Sequence, residues 1–451
     1  MFSNSDGSQY VAMTTKPVSR LIVSLAIPTV ISMLVSSIYN IADTFFVSQL
    51  GKSASAAVGV VFSLMAIIQA VGFTLGMGSG SLISRKLGEK DIESASRYGS
   101  SAFFVALGFG LLLTVFGLLF IDPLVKLLGS TPTILPYARS YARWILLGAP
   151  LMCASFVMNN ILRSEGHATF SMVALTSGGV LNLVLDPIFI FVLKMGTGGA
   201  AIATVISQLV SFCIFLQFFL RKKGIVQIKI TSVSAKWKTY FDILTTGFPS
   251  LCRQGLASIA TILLNNGAAI YGDAAIAAMS ITTRIVIFVA SIMVGIGQGY
   301  TPVSGYNYGA HLYKRVKEAY WFTVRLGTAI LTVCGAALLI FAPQIIRFFL
   351  QDKEVIEIGS RVLRFQACTL PFHAIIIGTN MLMQSTGKRV QATFLACNRQ
   401  GVYFIPLIIL LPLFFQLTGL EAVQAISDIF STITAIPYII WFFKKCCPSD
   451  K

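Results

Sequence analysis

Charge is what this sequence has least of. Asp, Glu, Lys and Arg make up only 11% of its 451 residues, less than half their usual share in a soluble globular domain. None occurs between Ser53 and Ser84, between Arg97 and Asp122, or between Arg325 and Arg347. Each of these gaps exceeds the ~20 residues a helix needs to cross a bilayer core, so a soluble fold is excluded. A transmembrane barrel is excluded too, because its ~10-residue alternating segments are missing. Histidine is scarce, with only His167, His311 and His373, and the eight cysteines include no CxxC pair. The usual metal-ligand spacings are therefore absent, the cysteines read as packing residues or free thiols, and no enzyme active centre is expected. Acids number 17 against 34 bases, a net charge of +17. The bases lie in short patches between apolar runs rather than on one domain, which argues against nucleic acid and for membrane topology. The N-terminus lacks the basic start, short apolar run and cleavage site of a signal peptide, so the first span is expected to remain in the mature protein.

What is present is a series of apolar runs bounded by charge, glycine or proline. They predict twelve spans, roughly 20–49, 54–84, 98–121, 137–162, 168–193, 198–220, 240–271, 274–304, 318–345, 357–385, 390–416 and 420–443. Alternate loops differ sharply in charge. The set containing both termini holds 21 Lys and Arg, and the opposite set holds five, or nine with Arg139, Arg143, Arg361 and Arg364 at the starts of two spans. The positive-inside rule then places both termini in the cytoplasm of a multi-pass protein of the plasma (inner) membrane.

The chain also repeats. Gly51 and Gly166 are separated by the same 115 positions as Gly272 and Gly387, and Gly76-Met77-Gly78-Ser79-Gly80 matches Gly295-Ile296-Gly297-Gln298-Gly299. An offset of about 221 residues maps six helices onto six. The expected fold is thus an all-α membrane protein of twelve transmembrane helices in two six-helix lobes, related by a pseudo-two-fold axis along the membrane normal. The lobes are read as 1–221 and 239–451, joined by a basic, solvated cytoplasmic linker, 222–238. Neither glycine-rich stretch ends in the Lys-Ser or Lys-Thr of a phosphate loop. They read as sites of close helix packing or bending rather than nucleotide binding.

Against this apolar background two acids stand out, Asp43 in IYNIADTFFV and Asp186 in VLNLVLDPIF. An ionisable group inside a membrane is a functional candidate by default. At about 1.5 Å per residue, Asp43 lies roughly 12 Å and Asp186 roughly 15 Å below the outer face, with Thr204 roughly 9 Å deep on the next helix. Asn182 is one turn from Asp186 on the same helix face. Pro187 withholds a backbone donor from the carbonyl of Leu183, which kinks the helix beside the carboxylate. Two acids, an amide, a hydroxyl and a loose carbonyl are suited to a proton or a hard cation such as Na⁺. Pro28 likewise frees the carbonyl of Ser24 and gives the helix bearing Asp43 a hinge. The second half lacks such a cluster. Its deep polar residues Arg253, Arg284, His373, Arg399 and Asp428 read singly as interhelical hydrogen-bonding or snorkelling side chains, with His373 a second protonatable group.

These residues, above all NLVLDPIF and GMGSGSLISRKLGEKD, resemble the multidrug and toxic compound extrusion (MATE) family over nearly the whole chain, in the branch of DinF-like and MepA-like bacterial transporters. The resemblance implies a cation-coupling cluster at Asp43, Asn182, Asp186 and Thr204, with Tyr141 in the same network and Pro28 at the bending position of the first helix. It implies a secondary active transporter, with no cofactor, that exports organic and often cationic drug-like compounds in exchange for H⁺ or Na⁺. It is expected to act as a monomer with membrane lipids as its surroundings. A flippase for a lipid-linked precursor is the rival reading, kept open by Arg253, Arg284 and Arg399.

Overall fold

The structure, a computed structural model, describes residues 4–447. Helices account for nearly all of it, and no strand occurs among the described residues. That follows from a chain with long uncharged runs: in hydrocarbon every backbone N–H and C=O must find its partner within the segment, and the helix provides this.

A short helix α1 (Asn4–Thr15) precedes α2 (Val18–Ser48), α3 (Lys52–Gly88), α4 (Ile92–Leu119), the seven-residue α5 (Ile121–Leu127), α6 (Leu135–Ser164), α7 (Ala168–Pro187) and α8 (Gly196–Leu220). The second half runs α9 (Trp237–Ala269), α10 (Asp273–Gly309), α11 (Tyr313–Phe349), α12 (Lys353–Thr369), α13 (His373–Ser385), α14 (Arg389–Cys397) and α15 (Phe404–Lys445). Ten stretches are long and apolar enough to span a bilayer by composition. One of them, Arg389–Lys445, has 57 residues. It leaves helical geometry at Gln416 (φ 49°, ψ −132°), where the sequence ends its eleventh span, and so supplies two. The remaining span is the 33-residue α9, whose hydropathy is diluted by Lys238, Asp242 and Arg253. The twelve expected segments are all helical.

The repeat has a backbone cause. Gly51, Gly166, Gly272 and Gly387 all have positive φ, between 79° and 105°. Gly51 (ψ 171°) and Gly272 (ψ 174°) stand at the N-termini of α3 and α10, in an extended positive-φ conformation that costs a side-chain-bearing residue about 1–3 kcal/mol. Two charged caps begin other helices: Asp91 accepts from the Ser94 N–H (3.0 Å) and Asp352 from the Val355 N–H (3.0 Å).

Two compact units emerge. The first comprises Met1–Met13 and Ile31–Gly247, the second Thr14–Val30 and Phe248–Lys451. The changeovers within α2 and α9 fall beside Pro28 and Pro249, which are themselves 221 positions apart. In the first unit α6 packs against α3, α4 and α8 and is 83% buried over its apolar window, because LLGAPLMCASFVMNN is small or apolar on every face. The start of α9 lies on α3: a Cβ at Gly247 would fall on the Thr74 carbonyl, and one at Gly78 on that of Ile243. In the second unit the start of α2 lies on α10 in the same way. There a Cβ at Gly295 would come within 2.7 Å of Val30 Cα, and one at Gly299 within 2.6 Å of the Ala26 nitrogen. The glycine-rich stretches thus serve backbone-to-backbone approach.

The segment between the halves is more ordered than a solvated tether. The buried Glu165 carboxylate accepts the N–H groups of Ile225 (3.3 Å) and Val226 (2.7 Å). Ser96, Ser100 and Ser101 on α4 accept those of Gln227, Lys229 and Ser234. Val226 is buried over Gly99. An apolar residue in a basic stretch and serines one turn apart on the neighbouring helix convert a polar segment into a packed strap.

Candidate functional site

The acids of the first half sit in the first unit. Asp186 ends α7 and is fully buried, and Asn182 one turn earlier is 3% exposed. The Asn182 amide donates to Asp186 Oδ1 (3.1 Å) and approaches Thr204 Oγ1 on α8 (3.4 Å). Thr204 donates in turn to the Ala200 carbonyl (3.1 Å). Spacing of four on α7 and a facing hydroxyl on α8 are what the depth arithmetic anticipated. The proline interruption takes a definite form: a π-helical turn, Ile188–Val192, follows Pro187 directly. Such turns occur where a helix is locally reshaped around a site.

Asp43 lies on α2, within electrostatic reach of Asp186. Tyr141 on α6 is completely buried, reaches the fields of both acids and the Thr204 hydroxyl, and points its own hydroxyl at Met65 Sδ (3.8 Å). Asp43, Asn182, Asp186, Thr204 and Tyr141 are therefore brought into one neighbourhood built by α2, α6, α7 and α8. Pro28 is not part of it; it belongs to the second unit, four helical turns before Asp43.

The accounting of polar atoms is the informative feature. Asp43 Oδ1, Asp186 Oδ2 and Asn182 Oδ1 are buried without a hydrogen-bond partner, and neither acid has a basic group within salt-bridge distance among the described residues. A buried acceptor left empty is costly, and native structures leave few of them. Three such oxygens in one neighbourhood, two of them carboxylate, lack a positive charge. A proton would supply it as a donor and Na⁺ as a ligand centre; either fits this all-oxygen set, in which two carboxylates, an amide and a hydroxyl match hard-cation chemistry.

Sequence reasoning missed three neighbours. Tyr39 lies one turn before Asp43 and feels its charge. Met65 receives the Tyr141 hydroxyl. Ser207, 3% exposed with an unpartnered hydroxyl, is one turn beyond Thr204. Only Ser207 carried a signal, a hydroxyl on the polar face of α8.

The second unit handles its charges differently. Asp428 on α15 accepts from Arg399 Nε (2.6 Å), His373 Nε2 (2.8 Å) and Gln424 Nε2 (3.0 Å). Arg399 rides on a second π-helical turn, Asn398–Tyr403, whose Arg399 carbonyl accepts from Ser427. Three residues that read singly in the sequence thus form one cluster of compensated charge. Arg253 donates to Asn380 (3.2 Å), and Arg284 is exposed.

Two units of membrane-spanning helices, the first holding two buried acidic groups with no base beside them among the described residues, define a polytopic membrane protein. The MatE family profile matches it twice, over residues 28–188 and 249–410, and the two matches begin 221 positions apart, which is the offset of the internal repeat. The chain belongs to the MatE family of multidrug-export transporters. It is 28% identical over 427 residues to the multidrug export protein MepA of Staphylococcus saprophyticus, 94% of each chain being covered. It is also 28% identical to MepA of Staphylococcus aureus strain MSSA476, over 89% of each. A MATE structure in a bent conformation superposes with a TM-score of 0.90 at 28% identity over the whole of both chains. A MATE structure in a straight conformation gives 0.90 at 29% identity over 95% of this chain and 96% of its own. A MOP-superfamily transporter from Pyrococcus furiosus, described as having a binding pocket of reversed polarity, gives 0.90 at 29% identity over 96% and 98%.

Proposed function

We propose that this transporter expels organic, often cationic and aromatic drug-like compounds in exchange for H⁺ or Na⁺, with the coupling cation bound at Asp43, Asn182, Asp186 and Thr204 and with Tyr141 in the same network. The observation that carries the reading is the set of three unpartnered oxygens at a pair of acids with no base beside them. Entry of one H⁺ or Na⁺ lowers the charge of the acid pair from −2 to −1 and gives those oxygens a donor or a ligand centre. With its repulsion relieved the site closes on itself, α2 bends at Pro28, and the first unit holds a cationic solute less tightly. Loss of the cation on the other side restores the second negative charge and with it the attraction for the next substrate. A ligand shifts a two-state protein only by its differential affinity for the states; here the difference is the electrostatics of the acid pair. MATE structures described as bent and straight and relatives named for multidrug export support this cycle.

The flippase reading is the weaker one, because of the three arginines that favour it Arg399 is paired with Asp428 and Arg284 is exposed, which leaves Arg253 alone, and the acid cluster of the first unit is negative. Both termini are proposed to lie on the cytoplasmic side of the plasma membrane, and the protein to act as a monomer. The test is efflux of a fluorescent cation by cells expressing Asp43→Asn or Asp186→Asn, followed by reconstitution under an imposed pH or sodium gradient. Efflux should fall at least tenfold in each variant, and one of the two gradients should drive the wild type. Wild-type efflux in both variants would remove the coupling role.

A further inference from the structure

We infer that the strap between the two halves forms, with the start of α4, a binding site for the phosphate headgroup of an anionic phospholipid. A cavity of about 760 Å³ opens here in the first unit, and four of its lining residues are Arg97, Lys222, Lys229 and Lys236. One acid joins them, Glu93, and it is engaged by Arg97 at 2.6 Å. The three lysines have no carboxylate within salt-bridge distance among the described residues. The hydroxyl residues Thr231 and Ser232 line the same space. Uncompensated cations and hydroxyl donors around one cavity are the chemistry that recognises a phosphate.

Two further observations turn a basic loop into a built site for a lipid. The strap is preorganised: Glu165, Ser96, Ser100 and Ser101 take five of its backbone N–H groups, and the Tyr240 hydroxyl donates to the Ser234 carbonyl (2.5 Å). Little ordering therefore remains to be done when a ligand arrives. The second observation is a repeated pairing of charge with apolar surface. Lys229 is followed by Ile230, 74% exposed, and Lys236 by Trp237, 77% exposed, while Leu220, two residues before Lys222, is 72% exposed. A free phosphate has no use for such apolar neighbours. A phospholipid does: with its headgroup at the lysines, its glycerol and upper acyl carbons lie against Ile230 and Trp237, which follow lining residues in the chain without lining the cavity themselves, and tryptophan is enriched at membrane interfaces. The site rests on the membrane setting of the family and not on the acid cluster, so it stands or falls apart from cation coupling.

The full chain is reconstituted in phosphatidylcholine vesicles containing brominated phosphatidylglycerol, and separately in vesicles whose brominated lipid is phosphatidylcholine. Quenching by each lipid is read as the difference between the wild type and Trp237→Phe, which isolates the indole beside the site. The same pair of measurements is made for Lys229→Gln/Lys236→Gln and for a control of equal charge change, Lys314→Gln/Lys317→Gln, with Trp237 present and replaced. We expect phosphatidylglycerol to quench Trp237 at a lower mole fraction than phosphatidylcholine. The strap double variant should lose that preference by roughly 25-fold, at on the order of fivefold for each of two lysines, and the control should keep it. Inorganic phosphate at millimolar concentration should leave the quenching unchanged. Equal quenching by both lipids in the wild type overturns the inference, as does equal loss in the control, which would mean a diffuse surface potential. Displacement by inorganic phosphate would assign the cavity to a soluble anion instead.

Discussion

Replacing Asp428 with asparagine keeps the shape of the side chain, removes its charge and turns one of its two accepting oxygens into a donor. The carboxylate is 1% exposed and is held by Arg399, His373 and Gln424 at 2.6, 2.8 and 3.0 Å. After the substitution Arg399 keeps its positive charge with no counter-ion, and its side chain is only 24% exposed. Breaking a buried pair by removing one partner costs about 3–5 kcal/mol. The partial exposure of Arg399 places the expected cost at the lower end, about 3 kcal/mol. For a cooperative unit of this size each kcal/mol lowers Tm by about 2–4 °C, so thermal unfolding of the purified protein in detergent, followed by circular dichroism, should shift down by roughly 6–12 °C. The cycle is completed by Arg399→Gln and by the double variant. If mutual compensation is the role of the pair, the double variant should be at least as stable as Asp428→Asn alone, and the coupling between the two sites should exceed about 2 kcal/mol. A single-variant shift under 2 °C, or strict additivity, would refute the reasoning and free the cluster for another role.

Three more outcomes follow from the geometry. Gly247→Ala puts a methyl on the Thr74 carbonyl and should lower stability by about 1–3 kcal/mol through overpacking, measured by the same melt. Gly51→Ala meets nothing within 4 Å, so its loss, about 1–3 kcal/mol, comes from the positive φ alone; a melt unchanged from the wild type would refute that strain. Glu165→Ala removes the acceptor of two buried N–H groups and should make the strap cleave faster with trypsin at Lys222, Lys223 or Lys229, by roughly tenfold for about 1.4 kcal/mol of local opening, whereas an unchanged rate would mean that the serines of α4 suffice.

How much of this was legible in the sequence depends on where each feature keeps its signal. The twelve spans were legible because hydrocarbon leaves the backbone one solution, and the repeat because four turns demand glycine at positive φ. The pairing of Asn182 with Asp186 and the level of Thr204 followed from helical rise alone. The Arg399–Asp428–His373 cluster did not, since its members are 26 to 55 positions apart and each reads alone as a tolerated polar residue. Its signal was opposite charge at depth in consecutive spans, a pairwise property. Tyr39 and Met65 gave no signal, because nothing but position distinguishes them from other residues of their apolar helices. The strap was illegible for a different reason: its order rests on backbone N–H groups, which no side-chain pattern encodes.

The two units share an order of helices and differ in how they balance charge, and that difference bears on the division of labour. In the second unit each deep charge on the cluster has an opposite within 3 Å, so a passing cation has nothing to gain there and the arrangement holds itself. In the first unit Asp186 lies within electrostatic reach of Asp43, neither has a base beside it among the described residues, and three oxygens of the cluster are unpartnered. Such a pair costs more than a neutral amide at either position, which would pack as well without the penalty. Asp43→Asn/Asp186→Asn together should therefore raise the melting temperature, by relieving the repulsion and burying no charge, even as efflux disappears. A double variant that unfolds more easily than the wild type would mean that the acids hold the helices together, and that the coupling ion binds elsewhere.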